Sequence, residues 1–288
     1  MNTAVFILAG GCGERLSPLS SKEKPKQFLP IGRDGLSFFR MTFLRAMKIT
    51  DISRIFVLTQ NSYSDFVASQ APEIPADNVF YESQKRNTAP AIAAAMVRVE
   101  KFLGDVAAVV LPADHYIADE NAFLKTVKNA ASIAKRENSI ITIGIPPTRP
   151  DSSFGYIKCS GESEHGAYKT EGFTEKPDNE KALEFIASKL YFWNSGIFIC
   201  KISFALEQYK KYLPEVYEIS QKICCVSEKT EADKLYAAMP SVSIDYGILE
   251  KTSDILLMKG LFGWDDIGSW SALSRLYSKE ENELKKLL

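Results

Sequence analysis

Histidine and cysteine are scarce in this chain, and neither is arranged to hold a zinc ion. The two histidines, His115 and His165, are too few and too scattered for a zinc site, and the five cysteines (Cys12, Cys159, Cys200, Cys224, Cys225) contain no Cys-x-x-Cys pair. A reduced, cytoplasmic setting is expected. An excess of charge of one sign is missing too: 35 Lys and Arg against 36 Asp and Glu leave a formal net charge of -1. No global basic field draws the chain to nucleic acid or to an anionic membrane, so any phosphate binding has to be local. Long apolar runs are also absent. The opening MNTAVFILAGG lacks the basic region of a signal peptide and stops far short of a membrane span, which makes it a first strand. With 45% hydrophobic and 25% charged residues the composition is that of a globular domain, and a disordered or collagen-like chain is excluded. No repeat, low-complexity linker or clear domain boundary interrupts it.

What is present starts at residues 6–28, FILAGGCGERLSPLSSKEKPKQF. A buried strand breaks into Gly10, Gly11 and Gly13, so a loop without side chains emerges at a strand's carboxyl end, where open α/β sheets bind ligands. Glycines let backbone N–H groups approach an anion, and Arg15, Lys24 and Lys26 follow as local positive charge. The loop reads as a triphosphate cradle, although it is neither the GxxxxGK[ST] of a P-loop nor the GxGxxG of a dinucleotide fold. Helical spacing at residues 36–47, an apolar run at 53–59, a strand at 78–82 and an Ala-rich helix at 88–102 with Pro90 in its first turn continue a βαβ alternation. AAVVL at 107–111 is the clearest central strand, and it ends in Pro112-Ala113-Asp114-His115, which aims a carboxylate at the ligand crevice. After Pro146 the pattern changes to shorter strands, expected to be antiparallel and added at one side, where the second substrate would sit. Asn194, Ser195 and Gly196 interrupt an aromatic strand as a bulge near a ligand would. SVSIDYGILEK and DILLMKGLFGWDDIGSW return the chain to the sheet, and a last helix from Ser269 runs into a charged tail.

The motif GGxGxRL followed by PKQF resembles the sugar-nucleotide pyrophosphorylases, and PKQFLP in particular resembles the mannose-1-phosphate guanylyltransferases. RNTAPAIA, LPADH, FTEKPD, WNSGIF, SIDYGILEK and GWDDIGSW follow in that family's order, so the resemblance covers nearly the whole chain. It implies an α/β fold, a Rossmann-like nucleotide-diphospho-sugar transferase fold with a mixed, mostly parallel central sheet and helices on both faces. Residues 1–277 would form the nucleotidyltransferase domain and 278–288 a charged helical tail, whose exposed helix could pair two copies into a homodimer. The implied reaction joins GTP and mannose 1-phosphate to give GDP-mannose and pyrophosphate, with Mg²⁺.

Joining two anions calls for positioning and charge neutralisation rather than a protein nucleophile. By resemblance, Arg15 and Lys26 hold the triphosphate and stabilise the leaving pyrophosphate, and Lys176 holds the sugar phosphate. Leu8, Ala9, Gly10, Gly11, Gly13, Asn87 and Thr88 would bind the nucleotide. Glu82 would accept the paired N1–H and amino donors of guanine, worth about 1–3 kcal/mol of discrimination by analogy with duplex readout. Gly155, Glu175 and Asn194 would read the sugar, with Trp193 a packing residue. Mg²⁺ keeps phosphate and water ligands, so two carboxylates suffice. The family pattern gives Asp114 and Asp266, with Asp265 the rival. Three positions depart from that pattern: Ser17 stands where tryptophan is usual, Ser153 where glycine is frequent and Gly247 where alanine is common. Two other functions stay open on sequence, a pyrophosphorylase for another base or hexose phosphate and a regulatory subunit that binds without turnover.

Overall fold

The structure is a computed structural model that describes residues 3–11, 13, 16–162 and 165–277, so the tail expected at 278–288 lies outside the described residues. Strands and helices alternate as β1 (Thr3–Leu8), α1 (Phe38–Met47), β2 (Ile55–Gln60), α2 (Ser64–Gln70), β3 (Val79–Glu82), α3 (Thr88–Leu103), β4 (Ala107–Pro112), β5 (His115–Ile117), α4 (Glu120–Arg136) and β6 (Ile140–Ile145). The second half adds β7 (Tyr156–Glu162), β8 (Tyr168–Thr174), α5 (Asn179–Ser188), β9 (Tyr191–Lys201), α6 (Ile202–Tyr212), α7 (Pro214–Ile223) and α8 (Lys229–Ala238). β10 (Ile255–Lys259), β11 (Trp264–Asp266) and α9 (Trp270–Tyr277) complete it.

Among the described residues nine strands form one sheet in the order β3-β2-β1-β4-β9-β6-β10-β8-β7, while β5 pairs with β11 apart from it. Side-chain alternation divides the core into two layers. Val5, Ile7, Val109 and Leu111 point to one face, and Ala4, Phe6, Ala108 and Val110 to the other. The first layer is closed by α1, α2 and α4 through Phe39, Phe43, Val67, Phe123 and Val127. Ile92 and Met96 of α3, Phe204 and Tyr209 of α6 and Val216 of α7 close the second. A strand covered on both faces is apolar at every position, which is why β1 and β4 are unbroken hydrophobic runs. Each large side chain so buried contributes about 1.5–3 kcal/mol by leaving water.

The sheet is mixed and not mostly parallel, which corrects the expectation from sequence. β3-β2-β1-β4 run parallel, as do β6 and β10, but β9 lies antiparallel between β4 and β6. β7 and β8 are antiparallel to each other at the far end. The error has a physical source: a strand buried on both faces reads as the same apolar run whichever way it points. SVSIDYGILEK meets the sheet through a single π-helical turn, Asp245–Leu249, whose Ile248 and Leu249 are buried in the second layer.

Candidate active site

The loop after β1 is held by its carbonyls. Gln27 donates through Nε2 to the carbonyls of Ala9 (2.9 Å) and Gly11 (2.7 Å), Gln60 donates to that of Gly10 (2.6 Å) and Thr59 to that of Ala9 (3.0 Å). Pro25 leads into a short 3-10 turn at Lys26–Phe28 that buries Lys26 and Gln27 beneath the loop. Gly13 is required sterically, and a side chain at Gly10 would displace Glu82. A β-carbon at Gly10 would stand 2.8 Å from Glu82 Oε1, and Gly13, at φ +62°, would bring one within 2.5 Å of the Lys26 Cβ. Above this loop is a cleft of about 310 Å³ lined by Leu8, Gly10, Gly11, Glu82, Asn87 and Thr88, with Gln27, Lys85, Pro112, Asp114, Gly196 and Asp245. Six of the residues predicted to hold a nucleotide therefore share one cavity. Ala9 and Gly13 do not line it; Ala9 is buried and accepts hydrogen bonds, and Gly13 packs on Lys26. Arg15 lies outside the described residues, as does Cys12.

Asn87, at φ 69°, caps α3 by accepting from the Thr88 N–H, and the Thr88 hydroxyl accepts from the Ile244 N–H at 2.9 Å. The amino end of α3 is thereby fixed at the cleft wall, where its N–H groups favour polar ligand atoms. Glu82, at the end of β3, accepts from the Tyr236 hydroxyl at 2.8 Å. Burial pushes its carboxyl up to about 7 against the opposing hydrogen bonds of Tyr236 and the Arg86 backbone and the charge of Lys85.

Pairing of β5 with β11 sets His115 opposite Asp266, and this brings Asp114 and Asp266 to one point. Their carboxylates enclose Lys26, whose Nζ lies 2.7 Å from Asp114 Oδ2 and 2.8 Å from Asp266 Oδ1. Burial opposes the charge of Lys26, but the two carboxylates outweigh it and raise its pKa. Asp114 shows the counterpart: burial would raise its carboxyl, yet Lys26 and His115 pull it down to about 2. The adjacent Asp265 faces elsewhere, paired with Arg275 at 3.0 Å. Ligand atoms of Asp114, His115 and Asp266 all lie within 4.8 Å of one another. Two converging carboxylates form an oxygen-rich set that suits a hard divalent cation, so these residues fit the implied metal.

On the other side of this point lies a second cleft, of about 490 Å³, which gathers Gly155, Glu175, Lys176 and Asn194 with Pro112, Gly196, Asp245 and Asp266. Gly155 leaves room for Glu175, since a β-carbon there would fall 2.5 Å from Glu175 Oε2. Lys176, on the rim at φ 46°, pairs with Glu175 at 2.9 Å. Asn194 donates through Nδ2 to Asp245 Oδ1 at 2.8 Å and accepts through Oδ1 from the Gly196 N–H at 3.0 Å. The expected bulge is here: β9 uses five residues, Asn194 to Phe198, where β6 uses three, Thr142 to Gly144, and Gly196 takes φ +68°. Trp193 is 2% exposed and packs on Phe154, Trp264 and Arg149. The Ser17 carbonyl accepts from the Trp270 indole at 3.1 Å, so an indole from α9 stands beside the position where tryptophan was expected.

Residues missed from sequence share one property, which is that their place depends on contacts between distant segments. Asp245 borders both clefts, and its carboxyl is raised by burial despite the hydrogen bond from Asn194. It lies within SIDYGILEK, a motif noted for its position in the chain but not for this residue. Gln27 stood inside PKQF, whose neighbouring lysine drew the attention. Nothing in the sequence around Tyr236 distinguishes it from a helix core residue.

The sequence pattern of the nucleotidyl transferase family matches residues 4–283. The xanthan biosynthesis protein XanB of Xanthomonas campestris is 39% identical over 276 residues, covering 93% of this chain and 58% of XanB. A mannose-1-phosphate guanylyltransferase of Escherichia coli is 35% identical over 280 residues, again covering 93% of this chain and 58% of the relative. The chain thus spans somewhat over half the length of these curated relatives. Among solved structures, one from Thermus thermophilus described as a mannose-1-phosphate geranyltransferase superposes with a TM-score of 0.88 at 33% identity, covering 96% of this chain and 80% of the other. A UDP-glucose pyrophosphorylase at 16% identity and TM-score 0.62 shares the fold. A glycine loop on β1, an acidic pair from β4 and β11, and a family match across nearly the whole chain have one meaning: the chain belongs to the nucleotidyl transferase family.

Proposed function

We propose that this protein transfers the GMP moiety of GTP to mannose 1-phosphate, giving GDP-mannose and pyrophosphate. The observation that carries the reading is the junction of the two clefts. Pro112, Gly196 and Asp245 border both, Asp114 opens into the first, Asp266 into the second, and Lys26 bridges the two carboxylates. A nucleoside triphosphate in the first cleft and a sugar phosphate in the second would bring their phosphates together there. The names of the relatives supply the choice of base and sugar, and cytoplasmic placement belongs to the same reading.

Attack of the sugar phosphate oxygen on the α-phosphorus forms one P–O bond and breaks the bond to the β-phosphate, which leaves as pyrophosphate. No protein nucleophile is needed. Lys26 stabilises negative charge on the transferring group, Lys176 meets the sugar phosphate, and Glu82 accepts from the guanine edge. Arg15 is assigned to the triphosphate by resemblance. Asp114 and Asp266 would hold Mg²⁺, which when bound supplies Lewis-acid charge at the phosphates. Gly155, Glu175 and Asn194 present backbone and side-chain partners for sugar hydroxyls, with Asp245 added to them.

Neighbouring aspartates give the test. Asp266→Asn is expected to lower turnover of GTP with mannose 1-phosphate more than about a hundredfold while the melting temperature holds, whereas Asp265→Asn, which loses the pairings with Arg275 and Arg149, keeps most of the rate. Equal loss in both, or full activity in Asp266→Asn, would refute the assignment.

A further inference from the structure

Glu82 is placed between two spaces. It lines the cleft over the glycine loop, and on its other side it lines a larger cavity of about 580 Å³ bounded by β3, α3, α7 and α8. Tyr236, on α8, borders only the rear cavity, and its hydroxyl reaches Glu82 Oε2 at 2.8 Å. On the front side Gly10 leaves room for the carboxylate, since a β-carbon there would stand 2.8 Å from Oε1. We propose that Tyr236 is a positioning residue for base selection, holding Glu82 from behind so that the carboxylate presents its free lone pairs to the nucleotide cleft. This inference rests on the reading of Glu82 as the guanine acceptor.

Three observations support it. First, the geometry leaves the acceptors needed. A carboxylate has about four lone-pair sites, and one hydrogen bond from Tyr236 leaves both oxygens able to accept from two adjacent donors. Second, α8 and the segment after it are fastened to the β3–α3 connection independently of Tyr236: the Arg86 guanidinium donates to the Ala237 carbonyl, Ser83 donates to that of Asp233 at 3.3 Å, and beyond the helix the Val242 N–H donates to that of Arg86 at 3.3 Å. The tyrosine is therefore carried on a rigid support. Third, Glu82 needs a partner to stay ionised. Burial works against its charge, and the groups that face it are Tyr236 from α8 and Lys85 with the Arg86 peptide after β3; the loop after β1 presents Gly10 and α3 presents the apolar Ala91. A protonated Glu82 has lost an acceptor and cannot take both guanine donors. The Tyr236 hydroxyl donates to the carboxylate and so favours the ionised form against burial.

The experiment measures the ratio of GTP to ATP affinity, or of their KM values, between pH 6 and 8.5, a ratio in which titration of the triphosphate cancels. In the wild type the preference for GTP should rise with pH about a midpoint near 7. Tyr236→Phe keeps the ring and removes the hydroxyl. It is expected to lose about tenfold of the preference at pH 7, to move the midpoint upward and to leave kcat at saturating GTP unchanged. Glu82→Gln should abolish the preference at every pH, and adding Tyr236→Phe to it should change nothing further. An unaltered ratio and midpoint in Tyr236→Phe, with the preference lost in Glu82→Gln, would overturn the proposal and leave the guanine reading standing. A full preference in Glu82→Gln would overturn both.

Discussion

At the scale of single residues, Lys26 sets the electrostatics of the junction. Its ammonium occupies the space where Asp114 and Asp266 converge, at 2.7 and 2.8 Å, and it is 2% exposed. A divalent cation joining the same two carboxylates has to compete with it, because both neutralise the same charge. Lys26→Ala is therefore expected to bind Mn²⁺ about tenfold more tightly than the wild type when no nucleotide is present, as read by titration calorimetry, while turnover falls by orders of magnitude. Weaker Mn²⁺ binding in the variant would show that the lysine and the metal occupy different places. The PKQF motif singled out Lys26 as a candidate charge for phosphate, but its bridging of two carboxylates was not legible. Asp114 is 88 residues away and Asp266 is 240, and no local pattern reports a meeting at that separation.

Elements tell a similar story. The strands β1 and β4 and the helix α3 were readable because each is decided locally: an apolar run, or an alanine-rich stretch with its proline in the first turn. The direction of β9 was not readable, since burial on both faces removes the alternation that pairing would leave. Its bulge was, because Asn-Ser-Gly breaks the aromatic run. Gly196 of that bulge sits at φ +68° with a modest clearance, a β-carbon falling 3.3 Å from Pro112 Cγ. Gly196→Ala should cost about 1–2 kcal/mol in urea unfolding through the left-handed backbone. It should also reduce turnover, because the residue borders both clefts. Unchanged stability would mean that the bulge relaxes without strain.

For the whole molecule, the mixed sheet explains how two clefts come to share one wall. The parallel block β3-β2-β1-β4 delivers the glycine loop, Glu82 and Asp114 at its carboxyl ends. β9, entering antiparallel beside β4, carries Asn194 and Gly196 to that same edge, and the β7–β8 hairpin brings Gly155 and Glu175 alongside. The β5–β11 pair then adds Asp266 at the junction. Most of this site was anticipated by motif order, yet the shared wall of the two clefts and the π-helical turn that contributes Asp245 emerge only from the packed chain.

The central claim is the pairing of a guanine nucleotide with mannose 1-phosphate at this junction. Its most direct test is pyrophosphate release by the purified protein with Mg²⁺, measured for the four common ribonucleoside triphosphates against the 1-phosphates of mannose, glucose and galactose. The account predicts release with GTP and mannose 1-phosphate at a rate well above every other combination, accompanied by an equal amount of GDP-mannose. Preference for another pair would contradict the substrate assignment while leaving the junction chemistry in place, and no release with any pair would contradict the claim that the site is catalytic.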